Sequence, residues 1–176
     1  MIKKKIKLYY KNIISKTFEN IHGKVFLKKN TSFLMDISQV NDPFFRSYKK
    51  KKYNIYRIKK ARIFTDNNEN VAVIKNNLLI PQLSFQQIKG KLHHAKYNSV
   101  INKGTPSLIK KFPGTVLNLA QGGSGNNYFH FFFDIIPKIY LVQKHIKKKI
   151  NFYYVSAPKK WQIKIFKILG ITENAL

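Results

Sequence analysis

Three polar side chains interrupt the most apolar run of the chain. His130, Asp134 and Lys138 sit between Tyr128 and Val142 at successive i, i+4 positions. On a helix that spacing stacks them one above another along a single side. The chemistry they could do is proton transfer. An imidazole takes up and releases a proton near neutral pH, and a carboxylate beside it fixes its tautomer and stabilises its cation. Asp134 is one of seven acidic residues set against 34 Lys+Arg, and no other acidic residue lies between Glu69 and Glu173. Polar groups on an apolar helix need partners or a cavity. Two readings are therefore open. Asp134 accepts from His130 or Lys138 as a satisfied pair in the core, or the stripe is one wall of a site.

The elements that must hold this stripe can be read on either side of it. Thr115–Leu119 is β-branched and apolar, so a short strand is expected. Gly122–Gly125 follows as a glycine-rich loop in which positive φ is sterically free. Asn126 or Asn127 can then cap a helix by accepting backbone N–H bonds. That helix runs from about 127 to 145 and, being apolar on nearly every face, is expected to be buried. Pro137 removes one backbone bond and crowds the carbonyl of Phe133, so a kink is expected, or a break with Pro137 opening a second segment. Beyond Lys147-Lys148-Lys149, residues 151–155 read as a strand, and Ser156-Ala157-Pro158 as a helix start. Trp161, Ile165 and Ile168 or Leu169 make the buried face of that helix, and Gly170 ends it. Strand, helix, strand and helix in alternation imply a parallel sheet with right-handed crossovers. Ligands of such folds bind just beyond the strand ends. The glycine loop lacks the third glycine of a dinucleotide fingerprint, which would fall at Tyr128. A phosphate cradle and a plain connecting loop both stay open for it.

The string Asn127-Tyr128-Phe129-His130-Phe131-Phe132-Phe133-Asp134-Ile135-Ile136-Pro137-Lys138-Ile139 resembles the Asn-Tyr-aromatic-His-x-x-x-Asp-x-Leu-Pro-Arg-Leu pattern of glycosyltransferase family 61. That family includes capsular-polysaccharide transferases and plant arabinosyl and xylosyl transferases. Asn127, Tyr128, His130, Asp134 and Pro137 match, whereas Lys138 replaces the usual Arg and Ile136 and Ile139 replace Leu. A lysine keeps the charge and loses the planar fork of a guanidinium. The resemblance implies the N-terminal part of a GT-B-like enzyme that transfers a sugar, with inversion, from a nucleotide-sugar donor to a glycan acceptor in polysaccharide or surface-glycan synthesis. It also implies catalytic roles for His130 and Asp134, with His130 either the base or an acceptor-binding group. Asn127, Tyr128, Lys138, Gly123 and Gly125 would be the substrate-binding positions. No Asp-x-Asp pair is present, so neither a metal nor another cofactor is expected.

Composition bounds these readings. A chain of 176 residues is one domain or part of a larger one. With no cysteine, disulfides and cysteinyl metal sites are excluded. No run is long and apolar enough for a transmembrane helix. The net charge of +27 suggests nucleic acid at first. However, only Arg46, Arg57 and Arg62 are arginines, and no nucleic-acid-binding motif is present. The abundance of Lys, Asn, Ile, Tyr and Phe matches the drift of A/T-rich coding DNA. Nucleic acid is therefore not the expected partner, whereas acidic surfaces are favoured. Residues 2–21 place Ile2, Ile6, Tyr9, Tyr10, Ile13, Ile14, Phe18 and Ile21 at helical spacing among lysines. This basic amphipathic helix suits either an anionic membrane surface or the body of the protein. It is not a secretory signal.

Residues 22–54 are poorly periodic, with a turn at Asp42-Pro43 and a solvated loop at Lys49–Lys52. The runs 62–65, 71–74 and 78–80 are short and apolar, separated by asparagine-rich turns, and read as a small antiparallel meander ending at Pro81. Residues 84–91 are undecided. His93-His94 reads as a surface loop, since adjacent residues point apart and no third ligand is near. The expected class is α/β, a small antiparallel β meander followed by an incomplete Rossmann-like parallel β-α-β-α unit. The expected division is a basic region at 1–54 and an α/β domain at 55–176. Because the β-α-β-α run stops at Leu176, the chain is expected to be a fragment or truncated reading frame, inactive on its own, whose nucleotide-sugar-binding C-terminal domain normally follows. The expected location is cytoplasmic, with the inner face of the membrane as its peripheral variant. The alternative function is a non-catalytic basic module that binds anionic membrane or nucleic acid.

Overall fold

The computed structural model describes residues 2–41, 52–66, 70–88, 90–120 and 127–176, with the backbone alone at 2–5 and 7. Helix α1 (Ile2–His22) opens the chain. Strands β1 (Phe26–Leu27), β2 (Asp36–Asn41), β3 (Lys52–Arg57), β4 (Arg62–Asp66) and β5 (Asn70–Lys75) follow. Next come β6 (Leu78–Leu79), β7 (Phe85–Ile88), β8 (Lys91–His94) and the short helix α2 (Val100–Lys103). The last part holds β9 (Val116–Asn118), α3 (Tyr128–His130), α4 (Ile136–His145), β10 (Phe152–Tyr154) and α5 (Lys160–Ile168). The chain is thus a mixed α/β protein whose sheets combine parallel and antiparallel strands.

The expected meander is present and continues further. β5 pairs antiparallel with β4 along one edge and with β6 at one end of the other. Asn76 and Asn77 turn the β5–β6 hairpin at φ 50° and 58°, the left-handed pair a two-residue I′ turn requires. Pro81 does not end the sheet. After one 3-10 turn, Pro81–Leu83, the chain returns to the edge of β5 as β7 and then adds β8. Ser84 makes this return workable. The Val73 amide donates to its buried Oγ at 3.0 Å, so the strand amide between the β6 and β7 pairings is satisfied. Asn98 acts similarly, its Nδ2 donating to the carbonyls of Val71 and Phe85 at 3.0 Å each. His93 and His94 lie on β8 rather than in a loop, and His93 meets Tyr97 edge to face.

The poorly periodic region is also structured. β1 runs parallel to β6, and Val25 is buried with Ala72, Ile74 and Leu79. β2 and β3 form an antiparallel hairpin, and the division expected between residues 54 and 55 falls inside β3. Asp42, Pro43 and Lys49–Lys51 lie outside the described residues, whereas Lys52 begins β3.

β9 and β10 form a separate parallel pair, Phe152 opposite Val116 and Tyr154 opposite Asn118. The connection between them carries α3 and α4, and α5 follows β10. Leu119, Phe131, Ile135, Ile139, Tyr153 and Phe166 fill the core of this unit. It packs on the six-stranded sheet through Ala120 and Tyr154, which meet Val71, Val73 and Ile80. The Tyr154 hydroxyl shares a hydrogen bond with Thr65 Oγ1 at 2.9 Å.

Candidate functional site

The polar stripe lies on the helical segment that follows β9 in the chain. Leu119 and Ala120 are buried, and the chain is next described at Asn127. Asn127 is the N-cap of α3: its Oδ1 accepts from the Phe129 amide at 2.9 Å and the His130 amide at 3.4 Å. Two amides that a helix end would otherwise leave bare are thereby satisfied. This selects Asn127 over Asn126 as the cap.

The helix does not continue in plain α form. Residues Phe131–Ile135 are wound as a π-helix, and the Ile136 amide donates to the Phe131 carbonyl five residues back. α4 then starts with Pro137 in its first turn. Proline lacks an N–H and presses on the carbonyl four residues earlier. The wider π turn accommodates both facts, and Pro137 opens a second helical segment, one of the two expected outcomes. Such π turns often occur at functional sites.

His130 Nδ1 and Asp134 Oδ2 lie 2.8 Å apart. A carboxylate only accepts, so Nδ1 carries the proton and donates it to Asp134. In the neutral ring this leaves the lone pair on Nε2. The two side chains retain 40% and 34% of their exposure, so they are not a pair sealed in the core. Lys138 follows on the same side, and desolvation lowers the pKa of its ammonium while the charge of Asp134 opposes that fall.

One expectation is corrected here. The run from Tyr128 is not buried on nearly every face. Phe131, Ile135 and Ile139 point inward at 1–2% exposure, but Tyr128, Phe129, Phe132 and Phe133 keep 45–65%. Phe129 and Phe133 stack on each other at 4.7 Å between centroids, and Phe129 meets the His130 ring edge-on. Tyr128 stacks on Trp161 of α5 at 4.1 Å and 15°. Trp161 was expected only as a core residue. It packs against the core as expected, and its stack on Tyr128 could not be found from spacing, because it lies on another helix.

Asn127 and Tyr128 thus start the helical segment along which His130, Asp134 and Lys138 line one side. Gly123 and Gly125 lie outside the described residues. Among the described residues no group of three or more His, Cys, Asp or Glu is placed to hold a metal ion. No protein-family model, curated protein or solved structure matches the chain. The site's own geometry therefore carries the functional argument.

Proposed function

We propose that the chain is a glycosyltransferase of the family-61 kind, acting with inversion on a nucleotide-sugar donor and a glycan acceptor. In this reading β9–β10 and their helices are the Rossmann-like unit of the N-terminal part of a GT-B-like fold. The observation that carries the proposal is the His130–Asp134 hydrogen bond in the first turns after a parallel strand. Asp134 holds Nδ1–H and orients the ring. Nε2 then takes the proton of an acceptor hydroxyl as that oxygen bonds to the anomeric carbon. The bond from this carbon to the donor's phosphate oxygen breaks, and the nucleotide diphosphate leaves with the electron pair. General-base assistance of this kind is worth about 10²–10⁴ in rate. Asp134 stabilises the imidazolium so formed. Tyr128 on Trp161 offers a flat ring at the start of the same helix, and Lys138 adds positive charge along the stripe of the base.

The test is transfer itself. The polypeptide encoded by the whole reading frame is incubated with a panel of nucleotide sugars and glycan acceptors, and products are read by mass spectrometry. Transfer should occur, and His130→Gln should abolish it while the fold and donor binding survive. Transfer undiminished in His130→Gln, or its absence across the panel with the wild-type polypeptide of the whole reading frame, would count against this reading.

A further inference from the structure

Helix α1 is fastened to the body by the wrong side for an ordinary amphipathic helix. Ser15 Oγ donates to the Lys103 carbonyl at 2.7 Å, and His22 Nε2 lies 2.9 Å from the Ser107 carbonyl. With Phe18 and Glu19, these are the positions of the helix that the body partly covers. At 3.6 residues per turn they all fall on one arc. The rest of the apolar stripe falls on the other. Ile6, Tyr9, Tyr10, Ile13, Ile14 and Ile21 keep 44–67% of their exposure. An apolar stripe that could have docked on the protein instead faces away from it.

Charge decides what covers it. Positions 5 and 16 border one edge of the stripe and position 7 the other, with position 11 next beyond it, and all four are lysine. Glu19, the helix's only acidic residue, lies on the body-facing arc. A second copy laid along the stripe would set lysine rows against lysine rows, which repels. A nucleic-acid backbone would meet the charge but leave the apolar stripe uncovered. An anionic lipid surface satisfies both, with acyl chains under the stripe and headgroups beside the lysines. No helix among the described residues is long and apolar enough to cross a membrane, so this helix would lie in the interface.

We infer that α1 holds the protein on the surface of an anionic phospholipid bilayer by its outward apolar stripe. This does not depend on the transferase reading, and the experiment uses no sugar substrate. The full chain is floated with vesicles of phosphatidylcholine alone and of phosphatidylcholine mixed equally with phosphatidylglycerol, at low and high salt. Binding to the mixed vesicles should exceed binding to the neutral ones by roughly tenfold or more, and high salt should weaken it. Ile13→Asp places a charge in the middle of the stripe without touching Ser15 or His22, and should remove binding. Lys11→Glu with Lys16→Glu leaves the stripe intact and should remove the preference for anionic lipid. Circular dichroism checks that α1 still forms in each variant. Equal binding to both vesicles, no binding to either, or unchanged binding in either variant overturns the proposal. So does a dimer that forms without lipid and is dissolved by Ile13→Asp.

Discussion

α1 and the column Tyr128–His145 are both apolar helices in a basic chain, and they meet the protein in opposite ways. The column turns Phe131, Ile135 and Ile139 inward against β9, β10 and α5. α1 turns Ser15 and His22 inward and Ile6, Tyr9, Tyr10, Ile13, Ile14 and Ile21 outward. Periodicity identifies which face of a helix is apolar, but not what covers that face. The difference comes from partners. Leu119, Tyr153 and Phe166 supply an apolar floor for the column, whereas the residues that receive α1 offer backbone carbonyls.

The largest effect should come from cutting the same kind of side chain on the two inward and outward faces. Phe131→Ala empties a fully buried site and should cost about 3–5 kcal/mol in urea unfolding. Ile13→Ala, on an exposed face, should stay within about 0.5 kcal/mol. Comparable losses would mean that the stripe of α1 is covered by the protein after all.

A smaller effect tests how the column is started. Asn127→Ala removes the acceptor of two helix-end amides and should cost about 1 kcal/mol. No loss in thermal unfolding would show that those amides find other acceptors.

The smallest effect is a pH dependence on the column's polar side. Burial lowers the pKa of Lys138 below its ordinary value of 10.5. The unfolded chain then binds more protons than the folded one between those two values, so stability rises with pH through that window. Lys138→Met removes the group and keeps an apolar stem. The variant should be the more stable at neutral pH, and its advantage should shrink as pH climbs towards 10.5. A gap that stays constant over that climb would mean that charging Lys138 costs nothing in the fold.

Local chemistry was the legible part of this molecule. Asn76 and Asn77 announce their hairpin because asparagine tolerates left-handed angles. Asn127 announces its helix because its side chain mimics a missing acceptor. The strands at 116–118 and 152–154 and their parallel pairing follow from alternation of element types. Non-local features were not legible. β2 is exposed along most of its length, and Tyr53, Ile55 and Tyr56 of β3 are only partly covered, so neither strand has the clear buried face that marks a half-buried strand. β7 lies beyond a proline that looked like an end, and its return rests on Ser84 reaching back to Val73. At the candidate site, spacing sufficed to bring His130 to Asp134. It could not reveal the π turn, which follows from Pro137 acting on the preceding residues, or the stacking of Tyr128 on a ring from α5.

The parallel pairing of β9 and β10 has a consequence for how the chain assembles. The hairpin of β5 and β6 closes over two residues, Asn76 and Asn77, so its strands meet as soon as the turn forms. Val116 can meet Phe152 only after the whole column between them has been gathered in. Closing a loop costs entropy that grows by about 0.6 kcal/mol with each doubling of its length. Contacts of long sequence separation also form slowly. His130 and Asp134 need only one helical turn to find each other, but the floor beneath them closes only once the chain from Val116 to Phe152 has been gathered in.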